Sequence, residues 1–322
     1  MTTGARGTGQ SLGGASALRF LQTYAVAAMI LVLMALLALS SDSFLTVQNL
    51  INILNQNTPL AIMAAAMTLV IICGGFDLSV GAIFAVASVT AAWLALSVHP
   101  YAGLMAAPLV GMFLGLVNGL TITTLNIHSF LATLATGLVY RGIAILITGG
   151  TLIPVRLDDF TWLGRGRFGV VYYAVIVLAI VAILLTILLN RSTLGRRILA
   201  VGGNEEAAIL SGIRTNRIKV IAFSINGFAA GLAAAIATSR ISLGQATAGA
   251  GMELEAIAAV IIGGTSIYGG QGAVWRSVAG VFMLALIGNG FNILNADPFY
   301  KDLTTGLIIV AAVAISAAGH RR

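Results

Sequence analysis

"VVYYAVIVLAIVAILLTILL", residues 170–189, contains no Asp, Glu, Lys, Arg or His. An α-helix needs about 20 mostly apolar residues to cross the hydrocarbon core of a bilayer, so this segment reads as one complete crossing. The rest of the chain has the same bias. Of its 322 residues 59% are apolar and 8% charged, and the mean hydropathy is +1.01. Soluble domains use roughly 45–50% apolar residues, so the chain is expected to be an all-α polytopic membrane protein.

Working outward from 170–189, further apolar runs lie at about 21–40, 58–73, 78–97, 101–125, 129–148, 218–238, 255–268, 274–293 and 303–318. About ten transmembrane helices are therefore expected within one membrane domain, 21–318, between a cytoplasmic tail at 1–20 and a short one at 319–322. The tail at 1–20 is rich in Gly, Ser and Thr and is expected to be disordered. "ALS" at 38–40 resembles a processing site, but the first run is longer than a signal-peptide core and reads as a retained helix. The runs at 58–73 and 255–268 are short, and each ends in a glycine pair, Gly74-Gly75 and Gly263-Gly264. Discontinuous helices whose opened backbone lines a protein cavity would produce this pattern. Asp77 and Ser79 follow the first pair and join the same set of helix-break or gating candidates. "VIICGGFDLSVGA" (70–82) and "VIIGGTSIYGGQGA" (260–273) echo one another, through either duplicated halves or a chance match of short glycine-rich segments.

Charge sets the orientation. The formal net charge is +7, and residues 190–219 gather Arg191, Arg196, Arg197, Glu205, Glu206, Arg214, Arg217 and Lys219. Basic residues concentrate on the cytoplasmic side of membrane proteins. Arg6 and Arg19, the 191–219 cluster, and Arg321-Arg322 therefore belong inside, which ten crossings satisfy. The loop at 151–168 then lies outside, its arginines accompanied by Asp158 and Asp159. Its aromatics Phe160, Trp162 and Phe168 suit either a soluble partner or the membrane interface. No basic helix is interleaved with aromatics, which argues against nucleic acid.

Several chemistries are excluded. No GxxxxGK[ST] phosphate loop is present and the two lysines are Lys219 and Lys301, so the chain is not expected to bind ATP itself. His99, His128 and His320 lack metal-ligand spacing. The lone Cys73 reads as a packed apolar residue. Neither a paired-carboxylate site nor a nucleophile with its base is present, so no catalytic residue is expected. Among intramembrane ionisable groups, Asp77 is placed to reach water or to cap the next helix, and Arg141 to snorkel or to pair with a buried acid. Asn118, Thr133, Asn289 and Asn292 offer donors and acceptors to a hydroxylated neutral solute, or to neighbouring helices.

The charged segment contains its own helix signals. Asn204 is a favoured N-cap, Glu205 and Glu206 fall in the first turn where the helix dipole favours acids, and Gly212 can end the helix left-handed. Ala207, Ala208 and Ser211 lie between. So short a helix needs something to pack against.

Taken in order, "GGFDLSVG", "GLVNGL", "SFLATLATGLVYRGIA", "AVGGNEEAAILSGI", "LEAIAAVIIGGTSIYGGQG" and "NGFNILNADPFYKDLTTGLIIVAAV" resemble the ribose-type permease subunits of bacterial ATP-binding-cassette importers, over about residues 44–318. Phe76 stands where that family usually has Ile. The resemblance implies a second permease subunit, identical or similar, and cytoplasmic ATPase domains that bind the ATP. It also implies a periplasmic or extracellular solute-binding protein, and it makes the helix at about 204–212 the coupling helix for the ATPase. The carried solute is not legible. A stand-alone secondary transporter is the competing reading; it would want an ion site or an acid pair and would not need a docking helix.

Overall fold

The computed structural model describes residues 12–295 together with 297, 300, 303, 304, 306–308 and 310. The charged tail at 320–322 and most of the last apolar run lie outside the described residues. Helix α1 (Leu12–Ser40) begins inside the segment expected to be tail, because its Ala- and Leu-rich sequence favours helix over coil.

Next come α2 (Val47–Ile72), α3 (Val80–Ser97), α4 (Pro100–Leu125) and α5 (Ser129–Thr148), then the short cap α6 (Asp158–Arg165). The chain continues through α7 (Tyr173–Arg191), α8 (Thr193–Gly203), α9 (Glu205–Leu210), α10 (Thr215–Ile241), α11 (Met252–Ile262) and α12 (Val274–Ile293). Among the described residues, strands are confined to two tiny antiparallel pairs. β1 (Ile153–Pro154) pairs with β4 (Leu243–Gly244), and β2 (Arg167–Phe168) with β3 (Val171–Tyr172). Among the described residues, seven helices are long and apolar enough to cross a membrane: α2, α3, α4, α5, α7, α10 and α12. The protein is an all-α polytopic membrane protein.

Two expectations about the short runs change. The 58–73 run is the inner half of a 26-residue helix, so α2 is continuous. Its outer half reads as polar because Asn49, Asn52, Asn55, Gln56 and Asn57 interrupt the hydropathy without interrupting the helix. The 255–268 run is an 11-residue helix, about 16 Å at 1.5 Å per residue, too short to cross alone. A segment built mostly of turns, 242–251, precedes it. Its start pairs with β1 beside the α6 cap, its Gly249 packs against Gly81 at the start of α3, and the loop beyond α11 reaches the inner end of α2, where the Gly270 N–H donates to the Ile72 carbonyl at 2.8 Å.

The centre of the bundle is α2, where every residue from Thr58 to Cys73 is buried, together with α3 and α10. Helices α4 and α10 approach at backbone distance, Gly111 and Gly115 facing Gly227, and Gly231 facing Ala107. Such small-residue seams replace the hydrophobic drive that is missing between helices in lipid. Helices α5 and α7 are peripheral and turn Leu131, Leu138, Leu146, Ile180, Ile183 and Leu184 outward.

Candidate functional site

Three structural features contain the sequence candidates. The first is the short helix on the charged face. The Asn204 side chain accepts the Ala207 N–H at 2.9 Å, filling one of the donors a helix start leaves open. The helix closes with Ile213 N–H donating to the Ala208 carbonyl and Gly212 N–H to that of Ile209, with Gly212 at φ +78°, the paired bonds of a Schellman end. Ala208 is buried, whereas Ile209 is 54% and Leu210 89% exposed. Glu205 pairs with Lys219 of α10 at 2.6 Å, and Glu206 points out. Two large apolar side chains thus stand exposed on one turn, next to the charged residues of the same face.

The second is the pair of helix breaks. At the end of α2, Gly74 N–H donates to Ile71 O and Gly75 N–H to Val70 O; at the end of α11, Gly264 N–H donates to Ile261 O and Thr265 N–H to Val260 O. Gly74 and Gly264 have φ +83° and +76°. The sequence echo is thus one local structure made twice. Beyond the first break Asp77 is fully buried. It accepts the Ser79 N–H at 3.0 Å, the Ser79 hydroxyl at 2.6 Å and the Asn226 amide at 2.9 Å. Asn118 donates to the Ser79 hydroxyl and accepts from Tyr140, while the Leu78 N–H donates to the Thr133 hydroxyl. Asp77 therefore binds the turn that starts α3. Arg141 donates not to an acid but to the main-chain carbonyls of Ala246 and Ala248 at 2.7 and 2.8 Å, holding the run of turns before α11.

The third feature opens toward the α6 face. A cavity of about 780 Å³ is lined by Asn52, Asn55, Gln56, Asn57, Gly164, Arg165, Arg167, Tyr172 and Arg240. A smaller one, about 130 Å³, shares Gln56 and Asn57 with it and adds Glu255, Asn289 and Asn292 among its walls. The Asn55 Oδ1 is buried with no hydrogen-bond partner. Asn289 exchanges amide bonds with Asn49 at 3.0 and 3.3 Å.

The four expected solute contacts do not form one wall. Asn118 and Thr133 are fully buried in the Asp77 network, and Asn289 and Asn292 line the smaller cavity. The sequence candidates omit the α2 amides, although "NLINILNQN" (49–57) shows them plainly. Asn226 and Tyr140 carried no local signal.

A family model described as "Branched-chain amino acid transport system / permease component" matches residues 49–313, which takes in all three features. The chain belongs to this permease family. The permease is 39% identical over 291 residues to the ribose import permease protein RbsC of Escherichia coli (strain K12), covering 89% of this chain and 91% of that one. It is 36% identical to the D-allose transport system permease protein AlsC of the same strain, over 86% of each chain. To the L-arabinose ABC transporter permease protein AraH of Azospirillum brasilense it is 34% identical, over 88% of this chain and 84% of that one. No solved structure matches. The permease is the transmembrane subunit of an ABC importer, a multi-pass inner-membrane protein whose role is transport.

Proposed function

We propose that the permease imports a sugar or similar small polyhydroxylated solute, that ATP is bound and hydrolysed by separate subunits docked on α9, and that a solute-binding protein delivers the cargo to the α6 face. The permease itself needs no cofactor in this reading. A second permease subunit, identical or similar, completes the membrane unit.

The amide row of α2 carries the reading. Asn52, Asn55, Gln56 and Asn57 line the larger cavity, Gln56 and Asn57 line the smaller one as well, and the buried Asn55 Oδ1 has no hydrogen-bond partner. A polyol leaving water must replace its hydrogen bonds, since each buried unsatisfied group costs about 1–3 kcal/mol, and uncharged amides supply both donors and acceptors. The relatives named for ribose, D-allose and L-arabinose point the same way. The exposed Ile209 and Leu210 support docking, and the basic face around them is assigned to the cytoplasm by its arginines.

The test is uptake of labelled ribose, allose and arabinose into proteoliposomes containing the permease, its co-expressed ATPase and a solute-binding protein. Uptake should require all three components and ATP. Uptake by the permease alone, driven by an ion gradient, would establish a secondary transporter instead.

A further inference from the structure

The last turn of α8 meets the bundle core through the buried Val201 side chain and, one residue on, through backbone at Gly202. Gly202 lies so close to the inner end of α2 that a Cβ there would overlap the Ile72 carbonyl oxygen and stand 2.8 Å from the Gly270 nitrogen. The same carbonyl accepts the Gly270 N–H at 2.8 Å. Gly270 belongs to the loop that follows the second helix break, and it is held at φ +73°. Three chain segments therefore converge on one carbonyl group: the end of α2 just before its break, the loop just after the break in α11, and α8. Helix α9 begins at Glu205, directly after the Asn204 that ends α8.

This geometry has a mechanical consequence. Contacts between side chains absorb a displacement by changing rotamer, whereas close-packed backbone has no such freedom and passes strain on. The side-chain ties of α9 are softer: the buried Ala208 methyl, the partly buried Ile213 that follows the helix and the partly exposed Glu205–Lys219 pair. We propose that the Gly202–Ile72–Gly270 contact is the joint through which a displacement of α9 reaches both helix breaks at once, with Gly202 as a positioning residue for coupling. The proposal rests on α9 being the ATPase-docking helix.

Two adjacent glycines make the comparison clean. A Cβ at Gly202 has no room, while a Cβ at Gly203 meets nothing within 4 Å. In the reconstituted importer, Gly202→Ala should lower solute transported per ATP hydrolysed by about tenfold, a coupling effect of ordinary allosteric size, with ATPase binding retained. Gly203→Ala should stay within about twofold of wild type. Gly272→Ala is a milder wedge at the same joint, because the atoms nearest its Cβ would be side-chain carbons of Ile72 and Thr265 at 2.8 Å rather than backbone; it should give an intermediate ratio. Normal coupling in an assembled Gly202→Ala or Gly272→Ala complex overturns the joint.

A second measurement does not depend on the wedges. Spin labels at Ser211 and Tyr268, in a Cys73→Ser background, should keep one separation between nucleotide-free and ATP-trapped complexes, because both sides of the joint travel together. A nucleotide-dependent change in that distance overturns the proposal even if no wedge variant assembles. Loss of ATPase binding in Leu210→Glu checks the docking reading separately, so its failure is not confused with failure of the joint.

Discussion

Arg240, near the end of α10, donates a 2.7 Å hydrogen bond to the main-chain carbonyl of Asn55 in α2, and that carbonyl is the one Pro59 leaves without a helical partner. A proline inside a helix removes the N–H that would have bonded four residues back, so a guanidinium from another helix stands in for it. Arg240→Met keeps the stem and removes the donors. It should cost about 1–3 kcal/mol, the range for a buried acceptor left unpaired. In a Pro59→Ala background residue 59 supplies its own N–H, and the same substitution should cost at least about 1 kcal/mol less. Denaturant unfolding in detergent across the four proteins measures this coupling. Equal costs in the two backgrounds would mean that the proline and the arginine are unrelated.

The Asp77 network gives a second cycle. Asp77→Asn turns one acceptor oxygen into an NH2 group, which then faces the donating Asn226 amide; a loss of about 1–3 kcal/mol follows from an unmet pair of buried donors. Asn226→Asp restores an acceptor on the opposite side, while the oxygen kept by the new amide at position 77 can still receive the Ser79 N–H and hydroxyl. The double exchange should therefore be more stable than the sum of the single losses. Thermal stability no better than that sum would show that Asp77 and Asn226 are not partners in the folded protein.

These two relationships mark how far the sequence could be read. Signals confined to one turn were legible: Asn204 and Gly212 bound α9 through their own side-chain and backbone chemistry, and Gly74 and Gly264 sit where a left-handed residue is required. Uniformly apolar helices were equally plain, with runs at 129–148 and 274–293 matching α5 and α12. The outer half of α2 was missed because hydropathy counts side chains, and an amide row lowers the score without lowering helicity. Convergence was not legible at all. Asn118 meets Ser79 across 39 positions of sequence, and Asn226 meets Asp77 across 149, distances at which only the packing of α3, α4 and α10 decides who touches whom.

On α9 the charged and apolar residues should separate cleanly by assay. The Glu205–Lys219 pair is partly exposed, at 41% and 25%, and pairs of this kind contribute no more than about 1 kcal/mol. Lys219→Ala should leave folding and ATPase binding close to wild type. Leu210 contributes nothing to the fold at 89% exposure, so Leu210→Glu should leave the permease folded but unable to retain the ATPase on co-purification, with transport lost. Glu205→Arg combined with Glu206→Arg should also abolish transport while insertion persists. ATPase retention by Leu210→Glu would remove α9 from the docking surface.

Orientation follows from the same parts and can be checked in intact cells. Asp159 lies exposed on α6, Ser211 lies exposed beside α9, and the helix between their regions, α7, crosses once with a mean hydropathy of 2.8. The two positions must then face opposite sides of the membrane. The arginines at 191, 196, 197, 214 and 217 place Ser211 inside, because translocating such a cluster is disfavoured. Single cysteines at these positions, in the Cys73→Ser background, should therefore divide: a membrane-impermeant thiol reagent added outside should label the protein at 159 and spare it at 211 until the cells are opened. Labelling at 211 in sealed cells would turn the α6 cavity toward the cytoplasm and exchange the faces assigned to the solute-binding protein and the ATPase.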